Sequence, residues 1–289
     1  MADLFQAGLE SGSFQVVARV IPPRGVDFSS LMAQADSWKD KVDAILVADN
    51  ASARMGASSL IVAEMLKRAG REVILTVSCR DRNRLDLGST ALGAAAVSLQ
   101  SIFCVSGDFF TYGDHPESKP VYDLDSVQLI AMLRQMENGT DIAGNSVDSP
   151  PSFFLGAAVC PTADPLGPQL AKARKKIGAG ADFLITLPIF SIEQLTPLFN
   201  DMGPLSVKII AGVFLPSYEE IGRYRDGSIP GTFIPGELVN QWKDQGPEAF
   251  LSSSAGHVRE LISELRSSGK VAGVCISASG REAEVADLL

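Results

Sequence analysis

Short apolar runs rich in β-branched residues recur along the chain. Each is followed by a stretch whose apolar and charged positions fall on opposite faces of a helix. The strand-like runs are Phe14–Ile21, Ala44–Ala48, Val73–Val77, Ile102–Ser106, Phe153–Val159, Phe183–Thr186, Val207–Val213 and Val271–Ile276. Such runs show little alternation, as expected of strands covered on both faces. The predicted helices are Ser29–Lys39, Ser58–Ala69, Arg82–Ser98, Asp125–Asn138, Leu166–Ala179, Ile192–Asp201, Tyr218–Arg225 and Pro247–Ser267. Arg82–Ser98 is poor in charge beyond its first residues and reads as a buried helix. Asp125 is placed to cap the fourth-strand helix, and Gly180 to stop the next one.

Eight strands alternating with helices predict an α/β fold, a single (β/α)8 barrel filling residues 1–289 as one domain. An open doubly wound sheet predicts instead a glycine-rich turn after the first strand. That strand runs into Ile21-Pro22-Pro23-Arg24-Gly25, and neither GxGxxG nor GxxxxGK[ST] occurs in the chain. Two long loops break the pattern. Phe109–Leu124 follows a strand and belongs to the face where barrels carry their chemistry; Glu137–Ser152 precedes one and belongs to the opposite, structural face.

The chain has 289 residues and a formal net charge of −9, which disfavours a general nucleic-acid binder. A local basic pocket for a small phosphate stays compatible with that sum. Cys79, Cys104, Cys160 and Cys275 lie far apart and read as buried, reduced thiols of a cytoplasmic protein. The two histidines stand alone in polar stretches, so no metal site is expected. The first residues show neither a basic region nor a long apolar run, so no secretory signal is expected. The apolar runs are far shorter than the ~20 residues a membrane helix needs.

In a barrel, chemistry gathers at the C-terminal tips of the strands. Those tips carry Asp49, Asp81 and Asp108, which predicts an acidic, glycine-lined mouth. Capping the helix that follows is an equal alternative for Asp49 and Asp81. Asp108 suits it least, because it follows Gly107 and precedes the long aromatic loop instead of a helix. Lys208 is the one obvious strand lysine for Schiff-base chemistry, but it lies at the wrong end of its strand.

Several segments, in order and at barrel-compatible spacing, resemble the methylenetetrahydrofolate reductase family in its short bacterial form, which leaves no room for a regulatory domain. They are Pro22-Pro23-Arg24-Gly25, Ala48-Asp49-Asn50, Cys79-Arg80-Asp81-Arg82-Asn83-Arg84 and Ser106-Gly107-Asp108. Further on come Val121-Tyr122-Asp123-Leu124-Asp125, Lys175 through Phe183, Gly212-Val213-Phe214-Leu215 and Ile229 through Pro235. The resemblance implies an FAD-binding oxidoreductase that passes hydride to a C1-folate, with NADH or NADPH as reductant. It implies a cradle in which Gly107 and Asp108 lie against the flavin ring and Tyr122 and Asp123 line the ribityl and adenine side. Lys176 meets the diphosphate, and Ala48, Thr76, Val105, Ser106 and Ala158 form the walls. A cation complementing a helix C-terminus is the plainer reading of Lys176.

Three polar positions of that family differ here. Its proton-donating glutamate is Arg19, its folate-contacting glutamine is Leu187, and its strand-three histidine is Thr76. A guanidinium holds its proton too tightly to act as an acid near neutral pH. Asp108, Asp49 or a water would have to replace it. Arg19 either pairs with Asp49 or Asp108, or presents a fixed cation to the substrate. The alternative implied by these losses is a flavin- or folate-binding paralogue serving as subunit of a redox complex, with a partner redox protein. Barrels of this kind also commonly associate as homo-oligomers.

Overall fold

The computed structural model describes residues 3–203, 205–219, 221, 233–278 and 280–289. The strands are β1 (Gln15–Val20), β2 (Ala44–Val47), β3 (Val73–Ser78), β4 (Ser101–Val105), β5 (Phe154–Val159), β6 (Phe183–Thr186), β7 (Lys208–Leu215) and β8 (Gly273–Ala278). All neighbours pair in parallel and β8 returns to β1, so the sheet closes into a barrel in chain order. Every strand coincides with a predicted run. The helices are α1 (Leu4–Ser11), α2 (Ser29–Ser37), α3 (Ser59–Arg68), α4 (Arg84–Ala96), α5 (Ser126–Glu137), α6 (Leu166–Gly178), α7 (Thr196–Met202), α8 (Gly236–Lys243) and α9 (Pro247–Ser268).

Three differences from the sequence expectations have physical reasons. Helix α1 was not foreseen; its Phe5 and Leu9 plug the N-terminal end of the barrel, packing with Phe154 and Phe183. Helix α4 buries Leu87, Ala91 and Ala94, but Leu85 and Leu92 on its other side are exposed, so it is covered on one face only. Helix α8 was missed, and it brings Trp242 into a satellite cluster with Phe190 and Phe250. Of the predicted helix Tyr218–Arg225, only Tyr218, Glu219 and Ile221 lie among the described residues, and of the Ile229–Pro235 segment only Phe233, Ile234 and Pro235.

Inward side chains stack in layers of four from alternate strands, as barrel geometry requires. The lower layers are filled. Ile74 and Ile210 occupy one, Leu46, Phe103, Ile185 and Cys275 the next, with Phe154 and Phe183 below them. Gly156 makes this possible, because a Cβ there would stand 2.3 Å from the Phe183 ring. Carrying the strand register round the barrel puts Arg19, Thr76, Ala158 and Gly212 in the next layer, and Ala48, Val105, Leu187 and Ser277 above it. The lower layers are bulky, while the upper two are mostly small residues, with Arg19 and Leu187 the exceptions. Burial agrees: Arg19, Val105, Ala158 and Ser277 are the partly exposed residues of β1, β4, β5 and β8, each facing the mouth.

Candidate active site

The mouth is organised by one loop. After β3 the chain reads Cys79-Arg80-Asp81-Arg82-Asn83-Arg84, and all three guanidiniums bind a carboxylate. Arg80 is 1% exposed. It donates to both oxygens of Asp81 at 2.7 Å, and to the Asn50 and Asp108 carbonyls at 3.2 Å. Its guanidinium also lies 5.0 Å from the Phe110 ring centroid. One side chain thereby joins the loops that follow β2, β3 and β4. Arg84 grips Asp123 at 2.7 and 2.8 Å, and its backbone N–H adds a third bond. Those hydrogen bonds hold the Asp123 carboxyl down at about 2.

Asp49 is buried against Arg82, whose Nη1 lies 2.5 Å away. It also accepts the Ser78 N–H at 2.9 Å and the Ser59 hydroxyl at 3.2 Å, tying β2 to β3 and α3. Neither Asp49 nor Asp81 caps a helix. Asn83 performs that task for α4, accepting the Asp86 N–H at 3.0 Å. The expected acidic mouth is therefore charge-balanced, because arginines from a single loop neutralise Asp81 beside them and Asp49 and Asp123 from elsewhere in the chain.

Asp108 stands apart. Its side chain is exposed and bonded to no described residue, while its backbone carbonyl accepts from Arg80 and from the Tyr122 hydroxyl. Gly107 before it has φ +93°, and a Cβ there would meet Ser78 Oγ at 2.4 Å and Arg80 Cβ at 2.7 Å. The turn therefore requires glycine. The backbone N–H groups of Ser106, Gly107 and Asp108 donate to no acceptor among the described residues. Three successive free donors at a strand tip make a cradle for an electron-rich ligand edge. Tyr122 Oη closes one side of it, 3.2 Å from the Gly107 carbonyl.

The wall positions divide. Ala48, Thr76, Val105, Ala158 and Leu187 face the mouth. Ser106 turns outward to the helices, where its Oγ donates to Ser126 Oγ at 3.3 Å and accepts from Lys172 Nζ. Lys176 is not an exposed cation on a helix end. It is 7% exposed, and its ammonium donates to the Ala158 carbonyl. Burial first, and the neighbouring Lys172 second, bring its pKa down to about 8. Lys172 went unnoticed in the sequence. The four-residue spacing of Lys172 and Lys176 on α6 would have shown that both share a face.

Arg19 pairs with neither Asp49 nor Asp108. No carboxylate or hydrogen-bond acceptor among the described residues meets its guanidinium, although it is half-buried on the barrel floor. Burial drives the Cys275 thiol up to about 12, with the Arg19 charge pulling it down; that thiol is inert. All four cysteines are buried, and none forms a disulfide. No metal-binding cluster occurs among the described residues, and no described helix is long and apolar enough to cross a membrane.

Comparison with known proteins adds to this geometry. The family model for methylenetetrahydrofolate reductase matches residues 4–289. A probable methylenetetrahydrofolate reductase (NADPH) from Caenorhabditis elegans is 23% identical over 245 residues, covering 82% of this chain. The chain spans 34% of that relative's length. Among solved structures, an uncharacterised protein from Clostridium thermocellum that binds two copies of 5-methyl-5,6,7,8-tetrahydrofolic acid superposes with a TM-score of 0.65 at 14% identity. The match covers 99% of this chain and 96% of that one. A 2,3-dimethylmalate lyase superposes less closely, with a TM-score of 0.51 at 14% identity over 93% of this chain and 86% of that one. At those identities the likeness shows the shared barrel fold.

Proposed function

The chain belongs to the methylenetetrahydrofolate reductase family, and from that premise we propose that it binds FAD at the barrel mouth and reduces a C1-folate or a related electrophile. The observation that carries this reading is the Ser106–Asp108 turn, with its unclaimed N–H groups and a conformation that only glycine fits at position 107. Bound flavin would supply the hydride relay, accepting from NADH or NADPH and donating to the substrate. The protein's part is to hold the ring edge on the Gly107 turn and to keep Tyr122 against that turn. The paired Lys172 and Lys176 would meet the diphosphate. Asp108, whose carboxyl is exposed and unpaired at the mouth, would hold the proton that opens the folate's five-membered ring. Asp49 is committed to Arg82 and would position the β3 loop. The buried thiols fit a cytoplasmic protein, and the folate-binding neighbour supports a folate as ligand.

FAD taken up by the apoprotein, and released intact on denaturation, tests the cofactor. Protein that stays colourless after reconstitution would refute the reading. A pH dependence follows from Lys176. Its ammonium loses its proton as pH rises through about 8, and a bound diphosphate would restore it. FAD affinity is therefore expected to fall above that pH, by up to about tenfold per pH unit for one linked proton. Fluorescence titration checks this, and Lys176→Met should abolish the slope.

Arg19 and Leu187 favour a second reading, in which the chain binds flavin or folate as a subunit of a redox complex with a partner protein. Asp108→Asn separates the two. Under the reductase reading, removing that acid lowers the rate of C1-folate reduction by about 10²–10⁴-fold, the usual worth of general acid catalysis, while flavin stays bound. A wild-type protein that holds flavin yet reduces no C1-folate would favour the subunit reading.

A further inference from the structure

Charge on the floor of the mouth is unbalanced at one point. Three arginines of the loop after β3 each have their own carboxylate: Arg80 has Asp81, Arg82 has Asp49 and Arg84 has Asp123. Arg19 has none among the described residues, and its position on β1 turns it into the barrel. Leaving a half-buried guanidinium without a counter-charge is costly unless something else supplies one.

A second group in the same layer is also unpartnered. Thr76 is 6% exposed, and its Oγ1 has no hydrogen-bond partner. The strand register sets Thr76 two strands from Arg19 at the same height, on adjacent corners of the layer completed by Ala158 and Gly212. Ala158 is small, whereas at Gly212 the end of β6 fills the corner, because a Cβ there would stand 2.2 Å from the Thr186 carbonyl oxygen. A planar fork of N–H donors beside one hydroxyl donor matches a carboxylate, which offers two oxygens in one plane.

We infer that Arg19 and Thr76 form a carboxylate subsite on the barrel floor, so that the molecule reacting at this mouth carries an anionic carboxyl group into the barrel. The inference rests on the mouth being the reaction site proposed above, but not on the identity of the cofactor. A small organic acid and the glutamyl tail of a folate both carry the required group.

The test uses acetate as probe and acetamide as its neutral counterpart, with binding followed by saturation-transfer NMR on the whole protein. Wild-type protein should bind acetate saturably and ignore acetamide. Arg19→Gln should weaken acetate by about 10- to 100-fold, the worth of a hydrogen bond to a charged group. Arg19→Lys keeps the charge without the fork and should fall between, while Thr76→Val should lose a smaller factor. Thermal melts of each variant confirm that the barrel is intact. Displacement of acetate by 5-methyltetrahydrofolate but not by 6-methyltetrahydropterin would assign the carboxyl to the glutamyl tail. Displacement by neither would assign it to a small acid.

Equal acetate binding by wild type and Arg19→Gln, or acetamide binding as well as acetate, would overturn the subsite. Bound flavin is measured in the same samples. Flavin retained without acetate binding defeats the subsite alone; acetate bound by protein that takes up no flavin defeats the cofactor reading alone.

Discussion

Arg82→Met is expected to destabilise the protein by about 3–5 kcal/mol, the usual result of removing one partner of a buried ion pair. The Asp49 side chain is 3% exposed and would keep only the Ser78 N–H and the Ser59 hydroxyl. Those two bonds do not neutralise a carboxylate held away from water. Urea denaturation of wild type and variant side by side checks this. Adding Asp49→Asn should recover much of the loss, because an amide can keep the Ser78 bond without a charge. A single variant as stable as wild type would mean that Arg82 does not hold the β3 loop.

Gly107→Ala carries the second large effect, and it acts on the site more directly. The residue adopts φ +93°, which costs an alanine about 1–3 kcal/mol. The new methyl would also press on Ser78 Oγ and Arg80 Cβ, at 2.4 and 2.7 Å. Relieving that overlap costs about 1–3 kcal/mol more. The chain can escape only by rotating the turn, which carries the free N–H groups of residues 106–108 away from the mouth. Loss of flavin uptake with a lowered thermal midpoint is the expected outcome. A variant that melts lower yet binds FAD as tightly as before would show that this turn does not hold the ring.

The barrel was legible because its strands are buried on both faces, so each stands out as an unbroken apolar run. Their tips follow from that assignment, and Asp49, Asp81 and Asp108 could be placed at the mouth from the chain alone. What the tips do to one another was not legible. Asp49 meets Arg82 and Asp123 meets Arg84 across 33 and 39 residues of sequence, and no local pattern reports such partners. An acidic mouth was the natural expectation, and the cross-chain pairing neutralised it. Helix α1 escaped for a related reason. Phe5 and Leu9 make a weak apolar pattern, and only the open end of the barrel gives it somewhere to go. The unpaired state of Arg19 was among the alternatives read from the sequence, but only the engagement of Asp49 by Arg82 decides it.

The flavin proposed at this mouth would take hydride from a nicotinamide and give it to a one-carbon folate. An anaerobic titration of the reconstituted protein tests both transfers in one cuvette, with flavin absorbance followed through successive additions. NADH or NADPH is expected to bleach the flavin, and methylenetetrahydrofolate then to restore its colour. A flavin that neither reduced nicotinamide bleaches, or a reduced flavin that the folate leaves bleached, would refute the proposed reaction.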